Sequence, residues 1–136
     1  MTPNAMAAIH KAAFTSDRPW NAAEFSDLAK LPGTQAVTHR FGFAMFRQVL
    51  DEVELLTLAV DPAVQRQGIA RSLMVDWMAQ AAQNGATSAF LEVAADNIAA
   101  LSLYHSLGFQ KIATRPDYYN RRARPPVDAI ILQIAL

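Results

Sequence analysis

In a chain of 136 residues, 52% of them hydrophobic, there is enough apolar material for one substantial core and too little length for two, so a single domain over residues 1–136 is expected. Twelve Lys and Arg balance twelve Asp and Glu, which leaves no overall positive field to gather nucleic acid or an anionic membrane. No cysteine occurs, which excludes a disulfide framework, thiolate metal sites and a cysteine nucleophile. The N-terminal MTPNAMAAIHKAAF lacks the basic start and long apolar run of a secretory signal, so a cytoplasmic address is expected.

Taken in chain order, Asn4 to Phe14 suits a helix, and Ser16-Asp17-Arg18-Pro19 breaks it before Asn21 caps a second helix over Ala22 to Lys30. Pro32-Gly33 reads as a turn, followed by strands over Gln35 to Thr38, Gly42 to Leu50 and Glu52 to Val60, an antiparallel meander. From Gly68 to Gln83, Ile69, Leu73, Trp77 and Ala81 recur at helical spacing, flanked by Met74 and Met78, and Asn84-Gly85 ends the run. Ser88 to Val93 is an apolar run of the kind buried on both faces of a sheet. Asp96 or Asn97 then caps a helix to Leu107, closed by Gly108. Gln110 to Thr114 and Asp128 to Ala135 are the last strands, separated by an arginine- and proline-rich loop over Arg115 to Val127. The order predicts an α/β fold, a mixed central sheet with helices on both faces, in which the central strand-helix-strand unit runs parallel.

Three segments carry candidate chemistry. Val60 to Arg71 joins a strand to the long helix, so unpaired N–H groups and the positive end of the helix dipole converge on one spot suited to a phosphate. Gly68 and the small Ala70 allow close approach there, and Arg66 and Arg71 add charge; the alternative is an ordinary helix start that uses glycine to turn. Glu92, in Phe90-Leu91-Glu92-Val93, is a carboxylate in a central strand, costly unless paired or used; the alternative places it at the strand's solvated end. Tyr104 lies two helical turns after Asn97, and its phenol can deliver a proton while Leu103 and Leu107 pack inward; the alternative is a helix tyrosine with a wet hydroxyl.

Other catalytic signatures are missing. His10, His39 and His105 lack ligand-like spacing and read as surface residues, so no metal is expected. Ser72, Ser102 and Ser106 lie in helices without a Gly-x-Ser-x-Gly elbow, and the Gly68 turn lacks the Gly-Lys-Ser/Thr ending of a P-loop.

Leu56-Thr57-Leu58-Ala59-Val60-Asp61-Pro62, Gln65-x-x-Gly68-x-Ala70, Leu91-Glu92-Val93, Asp96-Asn97-x-Ala99-Ala100, Leu103-Tyr104-x-x-Leu107-Gly108-Phe109, Tyr118-Tyr119 and Asp128-Ala129 together span nearly the whole chain. In this order and spacing the set resembles the GNAT superfamily of acetyltransferases, and most closely its RimI-type branch, the ribosomal-protein N-terminal alanine acetyltransferases. The resemblance implies the GNAT acyl-coenzyme A N-acyltransferase fold and acetyl-coenzyme A as cosubstrate. It implies that the backbone of Leu58, Ala59 and Val60 pairs with the pantetheine arm and that Val60 N–H polarises the thioester. It further implies that Arg66, Gln67, Gly68, Ile69, Ala70 and Arg71 grip the pyrophosphate, that Asn97 bonds the pantetheine side, and that Tyr118 and Tyr119 meet the acceptor. Glu92 becomes the base, through water, and Tyr104 the acid, in direct transfer without an acyl-enzyme.

The chain departs from the pattern at three points. The edge strand that normally opens the fold does not precede the first helix, Ala94 stands where the branch commonly has arginine, and the loop over 115–127 is unusually basic. Arg121, Arg122 and Arg124 near the acceptor are expected to favour peptides acidic after the first residue; the alternative is that they point into solvent. The acceptor expected first is a protein or peptide α-amine. A small-molecule amine or lysine side chain is the nearer alternative, and a non-catalytic acyl-coenzyme A-binding or interaction module the more distant.

Overall fold

The Asn21 side chain accepts from Glu24 N–H at 2.9 Å while Glu24 reaches back to Asn21 N–H at 3.2 Å, a reciprocal cap that forces a helix to begin. The computed structural model describes residues 1–136 and places α2 (Ala22–Ala29) there, after α1 (Pro3–Ala13), capped by Thr2. Strands β1 (Thr34–His39), β2 (Gly42–Val49) and β3 (Glu52–Val60) form the antiparallel meander. A short 3-10 turn, Pro62–Val64, leads to α3 (Ile69–Gln83), then β4 (Ser88–Ala94), α4 (Ile98–Ser106), β5 (Gln110–Tyr119) and β6 (Val127–Ala135). The sheet order is β1-β2-β3-β4-β6-β5, with β3 and β4 parallel across the α3 crossover. No helix is long and apolar enough to cross a membrane.

Alternation along β2 divides the core. Ala44 and Phe46 face Leu73, Met74 and Trp77 of α3 and Tyr104 of α4, whereas Phe43 and Met45 face Met6 of α1 and Phe25 of α2. Trp77, Phe25, Phe43 and Phe46 are wholly buried, each such ring removing apolar surface worth about 1.5–3 kcal/mol. The pairs Met45↔Thr57 and Phe46↔Leu55 leave Leu56 as an extra residue in β3. Past this bulge the strand reverses its faces: Val53 and Leu55 pack on the α3 side, but Ala59 joins the α1–α2 side.

Two expectations fail here. The last-but-one strand runs on to Tyr119, so Tyr118 and Tyr119 end a strand and the loop shrinks to 120–126. Pro116 does not break it, because β5 is a sheet edge; the pairing skips from Arg115↔Ala129 to Tyr119↔Val127, with Asp117 at φ 53 and its N–H held by the Asp128 carboxylate at 3.0 Å. His10 is not a surface residue. It is 2% exposed and stacked on Phe14 at 4.0 Å; its Nδ1 accepts from Trp20 N–H at 3.1 Å, so the ring proton sits on Nε2, 3.2 Å from Thr57 Oγ1. His39 and His105 are exposed as expected.

Burial lowers the His10 pKa from 6.5 to about 4. The unfolded chain binds this proton below 6.5 and the folded chain only near 4, so the stability present above 6.5 declines as pH falls through that interval. Unfolding followed across this range is expected to take up about one proton at this site, and His10→Gln to remove that dependence. An unchanged slope in the variant would assign the proton elsewhere.

Candidate active site

Parallel strands pair evenly unless something parts them, and β3 and β4 pair only at Glu52↔Ser88, Val53↔Ala89 and Glu54↔Phe90. Beyond Glu54 and Phe90 they diverge, while β4 stays paired with β6 as far as Ala94. The Asp61 N–H on the Phe41 carbonyl at 2.8 Å fixes the alternation of the β2–β3 ladder, so Ala59 bonds toward β2 and Leu58 and Val60 turn their backbone groups toward the gap. Of the three residues expected to offer backbone there, Ala59 therefore does not. The Val60 carbonyl is taken by Gln65 Nε2 at 3.1 Å, which ties the following turn back to the strand end.

That turn is left-handed at two places, Arg66 (φ 63) and Gly68 (φ 79), where Gly68 is the N-cap of α3. No side chain caps the helix, and the N–H groups of residues 65–71 donate to no acceptor within the chain. Together with the helix dipole they form a corner beside the gap whose geometry suits an anion. A Cβ on Gly68 would meet nothing within 4 Å, so glycine here serves the backbone angle and leaves the corner open. Gln67 and Arg66 are exposed, Ile69 is buried in the core, and Ala70 packs against it, so these residues offer backbone at the corner. The Arg71 guanidinium turns to α4 and donates to Ser106 Oγ at 2.6 Å.

Glu92 lies on β4 beside the gap, its side chain 24% exposed and its carboxylate 3.6 Å from Arg115 Nε. Glu54 stands diagonally across on the same sheet face; burial, and then the charge of Glu92, raise its pKa. Tyr104 reaches the core from α4, its hydroxyl bonded to no group of the chain and its pKa raised by burial to about 12. The phenol therefore holds its proton throughout the neutral range. Asn97 caps α4, its Oδ1 accepting Ala100 N–H at 3.2 Å, while its amide N–H groups donate to no group of the chain. Tyr118 and Tyr119 meet edge to face at 5.1 Å; Tyr118 is exposed under Arg115, and burial, then Glu92, push Tyr119 to about 12. No group of three or more acidic or histidine side chains converges as metal ligands would.

The loop arginines correct the expected charge of the acceptor side. Arg121 forks onto both carboxylate oxygens of Asp96 at 2.7 and 2.9 Å and reaches Asp17 at 2.9 Å, and Arg124 meets Asp96 at 2.7 Å. The Arg121 bond holds Asp96 below the usual carboxylate range. With two guanidinium groups neutralised by two carboxylates, only Arg122 of the three lacks a carboxylate partner, and a preference for acidic peptides loses its basis. Glu54, Gln65, Asp17 and Asp96 were not assigned these contacts from sequence: Gln65 stood in the motif without a role, and nothing local couples Asp17 or Asp96 to residues about 100 or 25 positions away.

The family model described as Acetyltransferase (GNAT) family matches residues 7–109. The ribosomal protein bS18-alanine N-acetyltransferase of Escherichia coli (strain K12) is 44% identical over 77 residues, covering 57% of this chain and 52% of the relative. This chain thus spans about half the length of the first curated relatives it matches. N-alpha-acetyltransferase RimI of Mycobacterium tuberculosis (strain ATCC 25618 / H37Rv) is 36% identical over 115 residues, 78% of this chain and 71% of that protein. The crystal structure of the ribosomal-protein-S18-alanine N-acetyltransferase from Escherichia coli superposes with a TM-score of 0.86 at 33% identity, over 98% of this chain and 86% of that one.

Because its added Cβ would lie in open space, Gly68→Ala meets only the cost of the left-handed angle, an expected loss of about 1 kcal/mol in stability. A lower denaturant midpoint at unchanged slope would record it. An unchanged midpoint would mean that the turn does not hold this angle in solution.

Proposed function

The chain belongs to the acetyltransferase (GNAT) family, and from that premise we propose that it transfers acetyl from acetyl-coenzyme A to the α-amine of a protein or peptide N-terminus. The observation that carries the reading is the gap between β3 and β4, with the inward-turned backbone of Leu58 and Val60 on one side and the unpaired N–H groups of residues 65–71 at its end. A long, amide-rich ligand ending in a pyrophosphate fits this arrangement: a strand edge for the arm, a helix start for the anion. When bound, acetyl-coenzyme A supplies the activated acetyl group. Leu58 and Val60 hold the arm through backbone bonds, the 66–71 corner holds the phosphates, and the Asn97 amide donates to the arm's flank.

The chain's own groups handle the protons. Glu92, its side chain 24% exposed beside the gap, accepts the proton of the incoming ammonium through a water. Tyr104, kept protonated by burial, supplies a proton to the departing sulfur. Val60 N–H, turned into the gap, donates to the carbonyl oxygen on which charge develops. The direct route is consistent with the absence of cysteine and of any exposed serine elbow. The similarity to relatives named for alanine N-acetylation of a ribosomal protein supports an N-terminal acceptor, with the cytoplasm as the address.

Purified protein given acetyl-coenzyme A with Ala-starting peptides, lysine-containing peptides with blocked N-termini, and small amines is expected to release thiol fastest with the free N-termini. Faster release with either other class would replace the acceptor, and no release with any would leave a binding module.

The machinery separates by mutation. Tyr104→Phe and Glu92→Gln are each expected to lower kcat by roughly 10²-fold while retaining acetyl-coenzyme A affinity, and the Glu92 loss to recover partly at higher pH, where more acceptor amine is already neutral. Gly68→Glu, with a carboxylate in the corner, is expected to weaken coenzyme A binding by more than about tenfold, or 1.4 kcal/mol, by calorimetry. Wild-type kcat in both proton-relay variants would move the acid and base elsewhere.

A further inference from the structure

Three segments far apart in the sequence meet on one side chain. Arg121 is only 4% exposed, and its fork onto Asp96 fixes the turn between β4 and α4, while its remaining terminal nitrogen donates to Asp17 in the α1–α2 connection and to the Asn120 carbonyl at 2.8 Å. The guanidinium lies over the Tyr119 ring at 5.6 Å, and Tyr119 in turn lies within reach of the charges of Glu92 and Asp17. The β5–β6 loop, the β4–α4 turn and the α1–α2 connection thus close around a ring linked to Glu92 through Tyr118, at 5.1 Å, and Arg115, which lies over Tyr118 at 5.3 Å and 3.6 Å from the carboxylate.

A guanidinium withdrawn from water costs several kcal/mol unless every donor is met, and one carboxylate would have sufficed to neutralise it. Here the planar fork grips one carboxylate and the third nitrogen reaches a second on another segment, so the side chain fixes relative position as well as charge. Asp17 is the only link of this cluster to the α1–α2 connection, and the Asp96 fork persists without it.

We propose that Arg121 is the positioning residue of the acceptor groove: by tying the α1–α2 connection across Tyr119 it gives the approach to Glu92 a single shape. The proposal rests on the acetyl-transfer reading. Arg121 touches no reacting atom; it acts through Asp17 and Tyr119. The corner at 65–71 follows β3, whereas this cluster follows β4, and the two share no hydrogen bond or ion pair, so the two substrates respond differently to its loss.

The test uses Arg121→Lys, which keeps the charge and loses the fork, and Asp17→Asn, which weakens only the tie to the α1–α2 connection. Both are expected to raise the KM for an Ala-starting peptide by roughly tenfold, with kcat and the acetyl-coenzyme A KM changed by less than about threefold. Hydrogen exchange of residues 14–21 is expected to quicken in both. A lowered melting temperature with both KM values unchanged would overturn the proposal, as would equal rises in the two KM values. Unchanged exchange at 14–21 would overturn the tie itself. A wild-type protein that acetylates no peptide, with exchange quickened in the variants, would instead sink the acetyl-transfer reading and the acceptor role with it, leaving the tie standing.

Discussion

The parting of β3 from β4 after three register pairs is the constraint on which everything else in the molecule turns. Two strands buried in a sheet normally satisfy each other's backbone, and a stretch that does not must find other partners. Here the Val60 carbonyl finds the Gln65 amide at 3.1 Å. The bulge at Leu56 rotates β3 so that Leu58 and Val60 face it, the Gln65 amide draws the next turn against the strand end, and the two left-handed residues aim the start of α3 at the same place. Backbone rather than side chains thus borders the gap, so few conspicuous residues mark it.

Around that gap the two sheet faces are treated differently. The α3–α4 face carries the main core, from which Tyr104 reaches in with an unpaired, protonated hydroxyl. On the opposite face α1 and α2 pack over β1, β2 and β3, and Glu92 on β4 pairs with Arg115 on β5. A cosubstrate held through backbone on one side and an amine arriving on the other is the division this layout supports. The Arg121 cluster, neutral overall, borders the second side and fixes its shape without adding a field.

Much of this was legible in the residues. Helical spacing from Ile69 to Ala81, the Asn21 and Asn97 caps and the Gly85 and Gly108 stops are local signals, and the elements begin and end near where those signals put them. The strand-to-helix turn at Gly68 was also readable, because such a turn is built from a few adjacent residues. Long-range facts were not. Whether Pro116 ends a strand depends on β5 being an edge, and His10 is buried because Thr57 and Trp20 N–H meet it from other segments. Arg121, Arg122 and Arg124 read as free charge in a run of sequence, although two of them are spent on Asp17 and Asp96. Composition counts charges; only the fold pairs them.

Amide hydrogen exchange with and without acetyl-coenzyme A tests the central claim most directly, because it reads the backbone groups that the gap leaves unpaired. The account predicts slowed exchange on binding in two stretches, residues 56–60 of β3 and residues 65–71 at the start of α3, with α1 and α2 unaffected by the cofactor alone. Binding that left both stretches unprotected, or that protected α1 and α2 instead, would contradict it.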